Sequence, residues 1–234
     1  MKPSNILLTA AAILSFTITA LHSQERFDLL VRGDFFAGFA GNAEALERAM
    51  KVTEEKLKEN PNHAEALVWH GSGLFYQSGQ LMNKKDFAKG MELYGRGIAE
   101  MNKAVELEPK NIGVRIPRGA VLSAGARFMP AEMAKPLFLS VIDDYYTVYQ
   151  MQEKYLDKIG THPRGELLFG LADSFSRIGA TAKADHFFAE IQKSLPNSAY
   201  SKRADKWFET KQPLPAAQAN CIGCHTFKHP EPQA

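Results

Sequence analysis

Cysteine is almost missing from these 234 residues: the only two are Cys221 and Cys224, so none sits near the amino terminus to carry a lipid anchor. Charge of either sign is not in excess, 28 basic side chains standing against 26 acidic ones. A chain so balanced sets up no field that would gather it onto a phosphate backbone, which sets nucleic acid aside as a partner. There is no convincing run of alternating β-branched residues, so all-α is the fold class to expect. There is also no HExxH, no Gly-X-Ser-X-Gly and no glycine loop suited to phosphate, so no independent catalytic site is visible. With 45% hydrophobic and 23% charged positions the chain is neither disordered nor a membrane protein, and it is long enough for one core or a short repeat array.

The first residues carry Lys2, an apolar run over 6–21 broken only by Ala, Ser and Thr, and then His22, Ser23, Gln24, Glu25 and Arg26. That layout is a secretory signal peptide, assigned to 1–23. The run falls short of the roughly 20 residues that span a bilayer, so no lasting membrane insertion is expected after cleavage. The mature chain is expected to be periplasmic or secreted.

Past the signal, helix formers recur at helical spacing. In 42–58, Leu46, Ala49, Met50, Thr53 and Leu57 share one face, and Asn60-Pro61 stops the helix. The stop recurs as Glu108-Pro109-Lys110-Asn111 and, more loosely, as Leu195-Pro196-Asn197-Ser198, each time between two amphipathic helices. Recurrence of this kind calls for a repeat. In 165–196, Leu168, Leu171, Ala172, Phe175, Gly179, Ala184, Phe188, Ile191 and Pro196 fall in the order large, large, small, aromatic, turn glycine, small, aromatic, apolar, proline. This unit resembles a tetratricopeptide repeat. The resemblance covers roughly 27–198 and implies a solenoid of helical hairpins in which small residues let paired helices approach.

The other units depart from the pattern. Pro61 and Pro109 are 109 − 61 = 48 residues apart, against about 34 for the repeat, which implies an insertion of about 14 around 80–94. The second helix of the third unit is overlong, from about 136 to 159. Thr53 and Lys56 stand where the first unit wants apolar residues. The expected small crossing residues are Ala37, Gly71, Gly119 and Ala172. After Asn197, a helix with Arg203, Lys206, Trp207 and Phe208 caps the array, closing the helical domain at 24–210. Residues 211–220, with Pro213, Pro215 and three alanines, read as a linker opening an unstructured tail over 211–234.

That tail holds Cys221-Ile222-Gly223-Cys224-His225, which resembles the attachment motif of c-type cytochromes. The resemblance implies one covalent haem c, with Cys221 and Cys224 forming the thioethers and His225 ligating the iron. Other readings of the same residues stay open. A redox disulfide is one, although the thioredoxin-like strand-to-helix context is absent. Zinc with His229 is another, although no second cysteine pair exists. An accidental match is the third. Only nine residues follow His225, and Ile222 and Phe227 are almost the only apolar side chains nearby, so the tail cannot wrap a haem unaided. A sixth ligand would come from His186, His162, a methionine or water.

In tetratricopeptide proteins the first helix of each pair lines a concave groove. That resemblance places Glu65, Val68, Ser72 and Phe75, then Ile116, Ala120 and Ser123, then Glu166, Phe169 and Asp173 on such a surface, suited to a peptide or protein partner with some positive charge, a redox protein being one such. Val68 stands where chaperone-tail clamps of the family place a lysine, which disfavours acidic tails. Asp143 and Asp144, about 100° apart on a helix, read as a solvated face rather than an acid pair. Trp69 and His70 read as packing residues. Arg32-Gly33-Asp34 has no adhesive role in a helical unit. The function expected is an exported scaffold whose repeats dock a partner while a tethered haem relays electrons. A haem-free adaptor that organises an envelope complex is the alternative.

Overall fold

The computed structural model describes residues 26–219, and among them every regular element is helical. Four pairs follow one another: α1 (Phe27–Phe39) with α2 (Ala43–Glu59), α3 (Ala64–Asn83) with α4 (Phe87–Leu107), α5 (Ile112–Ala126) with α6 (Ala131–Gln152), and α7 (Thr161–Arg177) with α8 (Thr181–Ser194). A 3-10 segment, Glu153–Lys158, extends α6, while α9 (Ala199–Thr210) and the single turn α10 (Ala216–Ala219) end the described chain. Each pair packs as a hairpin. The first helices also touch in series, α1 on α3, α3 on α5 and α5 on α7, so they form one layer and their partners another. This is an all-α, repeat-like stack.

The recurring proline phrase turns out to be one joint used three times. Asn60, Glu108 and Leu195 end their helices with φ near −135° and ψ of 95°, 70° and 49°, away from the helical region that a following proline disfavours. Three positions on, the backbone N–H of His63, Asn111 and Ser198 donates to the carbonyl of that last residue, closing a turn. The same three residues cap the next helix, their side chains accepting from Ala66, Gly113 and Ser201. Within the hairpins the turns use left-handed backbone, at Gly41 with φ 108°, Lys85 with φ 65° and Gly179 with φ 79°.

Small residues set the approach of the paired helices. A Cβ on Gly71 would stand 2.7 Å from the carbonyl oxygen of Gly97, and one on Gly97 the same distance from that of Gly71, so α3 and α4 meet backbone to backbone. At Gly119 a Cβ would strike the Tyr145 ring of α6, and Ala172 is fully enclosed. In the first hairpin the close approach is one residue away from expectation: a Cβ on Gly38 would stand 2.7 Å from that of Leu46, while Ala37 is half-exposed. The 14-residue insertion forms no loop. It lengthens both members of the second pair, which run to 20 and 21 residues about a short turn at 84–86.

Candidate functional site

Six of the ten residues expected to line a groove are interior. Val68, Ser72, Phe75, Ser123, Phe169 and Asp173 are each 6% exposed or less, while Glu65, Ile116 and Glu166 are half-exposed and Ala120 is exposed. The reason is the crowding of the first-helix layer: α3 is covered by α1, α2, α4 and α5 together. Ser72 faces α4, its hydroxyl 3.6 Å from the Met101 sulfur while donating to the Val68 carbonyl. Phe75 packs on Tyr94 and against Gly125. Phe169 lies beneath the Arg203 guanidinium of α9, 4.6 Å from its ring centre. Glu65 bonds within the stack, accepting from the backbone N–H of Asp28, and Glu166 accepts from the Tyr200 hydroxyl at 2.6 Å.

Asp173 belongs to a buried ionic group. One of its oxygens accepts from Arg127, which follows α5, and from Arg177 of its own helix, both at 3.0 Å. A second such group joins α5 to α6. Asp144 is fully enclosed and accepts two bonds from Arg118, at 2.7 and 2.8 Å, and one from Arg115 at 3.0 Å. Burial pushes the Asp144 carboxyl above the usual carboxylate range, against the pull of Arg118 and Arg115. The solvated face expected for Asp143 and Asp144 therefore applies to Asp143 alone, whose side chain is 62% exposed. The clue in the sequence was Arg115 and Arg118 three apart on an otherwise apolar helix. Two such arginines on one face need a buried anion.

Trp69 and His70 are interior, as their packing role requires. Trp69 stacks on Phe35 with ring centres 5.2 Å apart. His70 holds Glu100 through Nδ1 at 2.5 Å and has Glu54 3.7 Å from Nε2. It opens on a cleft of about 580 Å³ between α2, α3 and α4, where Lys51, Glu54 and Arg96 face Leu46 and Leu74. Among the described residues no three histidine, cysteine or carboxylate side chains come together as a metal site, and no helix is long and apolar enough to cross a membrane.

Cys221, Cys224 and His225, expected to attach a haem, lie outside the described residues, but the chain leading to them does not. Residues 211–219, expected as the start of a free linker, run against the body: Leu214 and Ala219 are buried, and Arg177 Nη2 donates to the Leu214 carbonyl at 2.6 Å. Lys211 turns the chain in left-handed backbone and joins the Trp207 indole in bonding Asp185, the indole N–H at 2.7 Å. Of the body histidines expected as ligands, His162 is engaged by the Tyr200 hydroxyl at 3.0 Å, and His186 is exposed on α8.

Bonds from Lys211 and then Trp207 hold the Asp185 carboxyl below the usual carboxylate range. A carboxylate depressed by folding contributes stability above its ordinary pKa of about 3.9 and loses it as pH falls through the lowered value. Acid titration should therefore change Trp207 fluorescence below about pH 4. The Asp185→Asn variant should lack that step, and a wild-type signal that stays flat to the onset of global unfolding counts against the clamp.

No family model, no curated protein and no solved structure matches this chain.

Proposed function

We propose that this chain is an exported scaffold of tetratricopeptide type that carries one covalent c-type haem near its carboxyl end and passes electrons to or from a docked protein. One observation carries the reading: the only two cysteines of the chain stand as Cys221-X-X-Cys224 with His225 next, behind an amino-terminal run with the layout of a signal peptide. Thiols three residues apart reach the two vinyl groups of one porphyrin, and the adjoining imidazole falls on the iron. Attachment of this kind takes place outside the cytoplasm, so the signal and the motif support one another. A haem held there supplies one-electron chemistry. The helical stack supplies the docking surface, a division of labour usual for solenoids.

Expressed with haem-maturation machinery, the purified chain should show a Soret band that persists through denaturation and vanishes in Cys221→Ala with Cys224→Ala. A bare polypeptide mass, under conditions where cytochromes c mature, removes the electron carrier. The second reading, a haem-free adaptor, draws on the polar cleft beside His70, which offers charged and apolar walls to a ligand with no contribution from the tail.

A further inference from the structure

We propose that the overhanging end of the second hairpin, residues 84–91, is a shallow membrane contact in which Phe87 and Met91 enter the lipid chains while Lys84, Lys85 and Lys89 rest on anionic head groups. Such a contact goes beyond the electron-carrier reading and needs no haem.

The hairpin projects because its neighbours stop early. Phe39, the last residue of α1, has its ring 5.1 Å from that of Tyr76 in α3, and Gly125, next to last in α5, packs against Phe75. Residues 77–83 of α3 therefore run on past the ends of both neighbouring first helices, about 10 Å of helix. Beside them α4 begins, its Gly90 closing on Met82 and the Ser78 carbonyl. The connecting turn and the start of α4 thus stand clear of the stack, and every residue of 83–89 is exposed.

An apolar stripe continues into that projection. Phe87, Met91, Tyr94, Ile98, Met101 and Val105 recur every three or four residues along α4, one face of the helix. Met101 and Val105 are buried in the stack and Tyr94 packs on Phe75, but Met91 is 50% and Phe87 61% exposed. The stripe outruns its cover. Around its bare end the side chains of Lys84, Lys85 and Lys89 make no ion pair among the described residues. Asp86, the one acid of 84–91, is turned to the Lys89 backbone N–H as the cap of α4. Large apolar side chains ringed by lysines match an anionic interface, where burial and attraction act together. Shape favours lipid over protein. A convex tip buries its side chains only in a partner that is hollow or yields, and hydrocarbon yields.

The test uses the full-length chain carrying Phe87→Trp, with vesicles of phosphatidylcholine alone or mixed with phosphatidylglycerol. The native indoles, Trp69 and Trp207, are buried and serve as a steady background. Adding the mixed vesicles should shift the emission of the introduced indole to the blue, and brominated acyl chains should quench it. Leu107→Trp, at the opposite end of α4, should give neither response. In the Phe87→Trp background, Lys84→Gln, Lys85→Gln and Lys89→Gln together should weaken binding to the mixed vesicles by at least about tenfold. Emission at position 87 that ignores the mixed vesicles overturns the membrane contact. An equal response to neutral vesicles overturns it too, because the lysines then do nothing. So does a blue shift that grows with protein concentration in the absence of lipid, which makes the tip a contact between copies of the chain.

Discussion

Asp144→Ala is expected to lower the unfolding free energy by about 3–5 kcal/mol, because it removes the enclosed anion of two buried arginines and leaves them only the exposed Asp143. Arg115 and Arg118 have side chains 8% and 7% exposed, and Asp144 is their enclosed anion. Solvent cannot replace it without opening the α5–α6 contact. Urea denaturation reads the loss as a lower midpoint at unchanged slope. Asp143, one residue away, also accepts from Arg115 at 2.8 Å but is 62% exposed, so Asp143→Ala should cost no more than about 1 kcal/mol. Replacing the three charged residues together by apolar ones of like volume should recover most of the loss, since the attraction in such a group largely offsets the cost of drying it. A drop below about 1 kcal/mol for Asp144→Ala would sink this account.

Gly71→Leu is expected to cost about 3 kcal/mol, at the upper end for overpacking, because its first added carbon meets backbone rather than a movable side chain. The nearest atom is the Gly97 carbonyl oxygen at 2.7 Å, and the Met101 backbone nitrogen stands at 3.1 Å. Neither can retreat unless α3 and α4 separate. The same helix provides the control. Gly79 has nothing within 4 Å of an added Cβ, so Gly79→Ala should stabilise by about 0.5–1 kcal/mol through helix propensity alone. Thermal midpoints of the two variants should move in opposite directions. Equal shifts would mean that the crossing is not what Gly71 serves.

What the sequence disclosed was set by short-range geometry. The proline phrase foretold three joints because proline, the non-helical residue before it and a capping side chain act within four positions. Gly71 and Gly119 declared themselves because a close crossing tolerates little else. The Ala37 assignment fell one residue from Gly38, since two adjacent small residues differ in helical phase by only about 100°. Asp144 was misread for the opposite reason: its partners are 26 and 29 positions away, and nothing local separates it from Asp143. The interior placement of Val68, Ser72 and Phe169 was illegible on the same ground. A repeat pattern says which side of a helix faces its hairpin partner, not how many further helices close over that side. Leu214 gave no sign either, because a lone leucine between prolines reads as linker until the body offers it a seat.

The three matching joints have a geometric corollary. Two of them link successive hairpins and the third leads from α8 into α9, so the same four-residue bend redirects the chain at each of these places. Between the third and fourth hairpins the bend is absent, and the 3-10 stretch Glu153–Lys158 with Ile159 and Gly160 takes its place. The path of the stack is thus set by its shortest segments, and among the described residues the link that departs from the joint sits just ahead of the last hairpin.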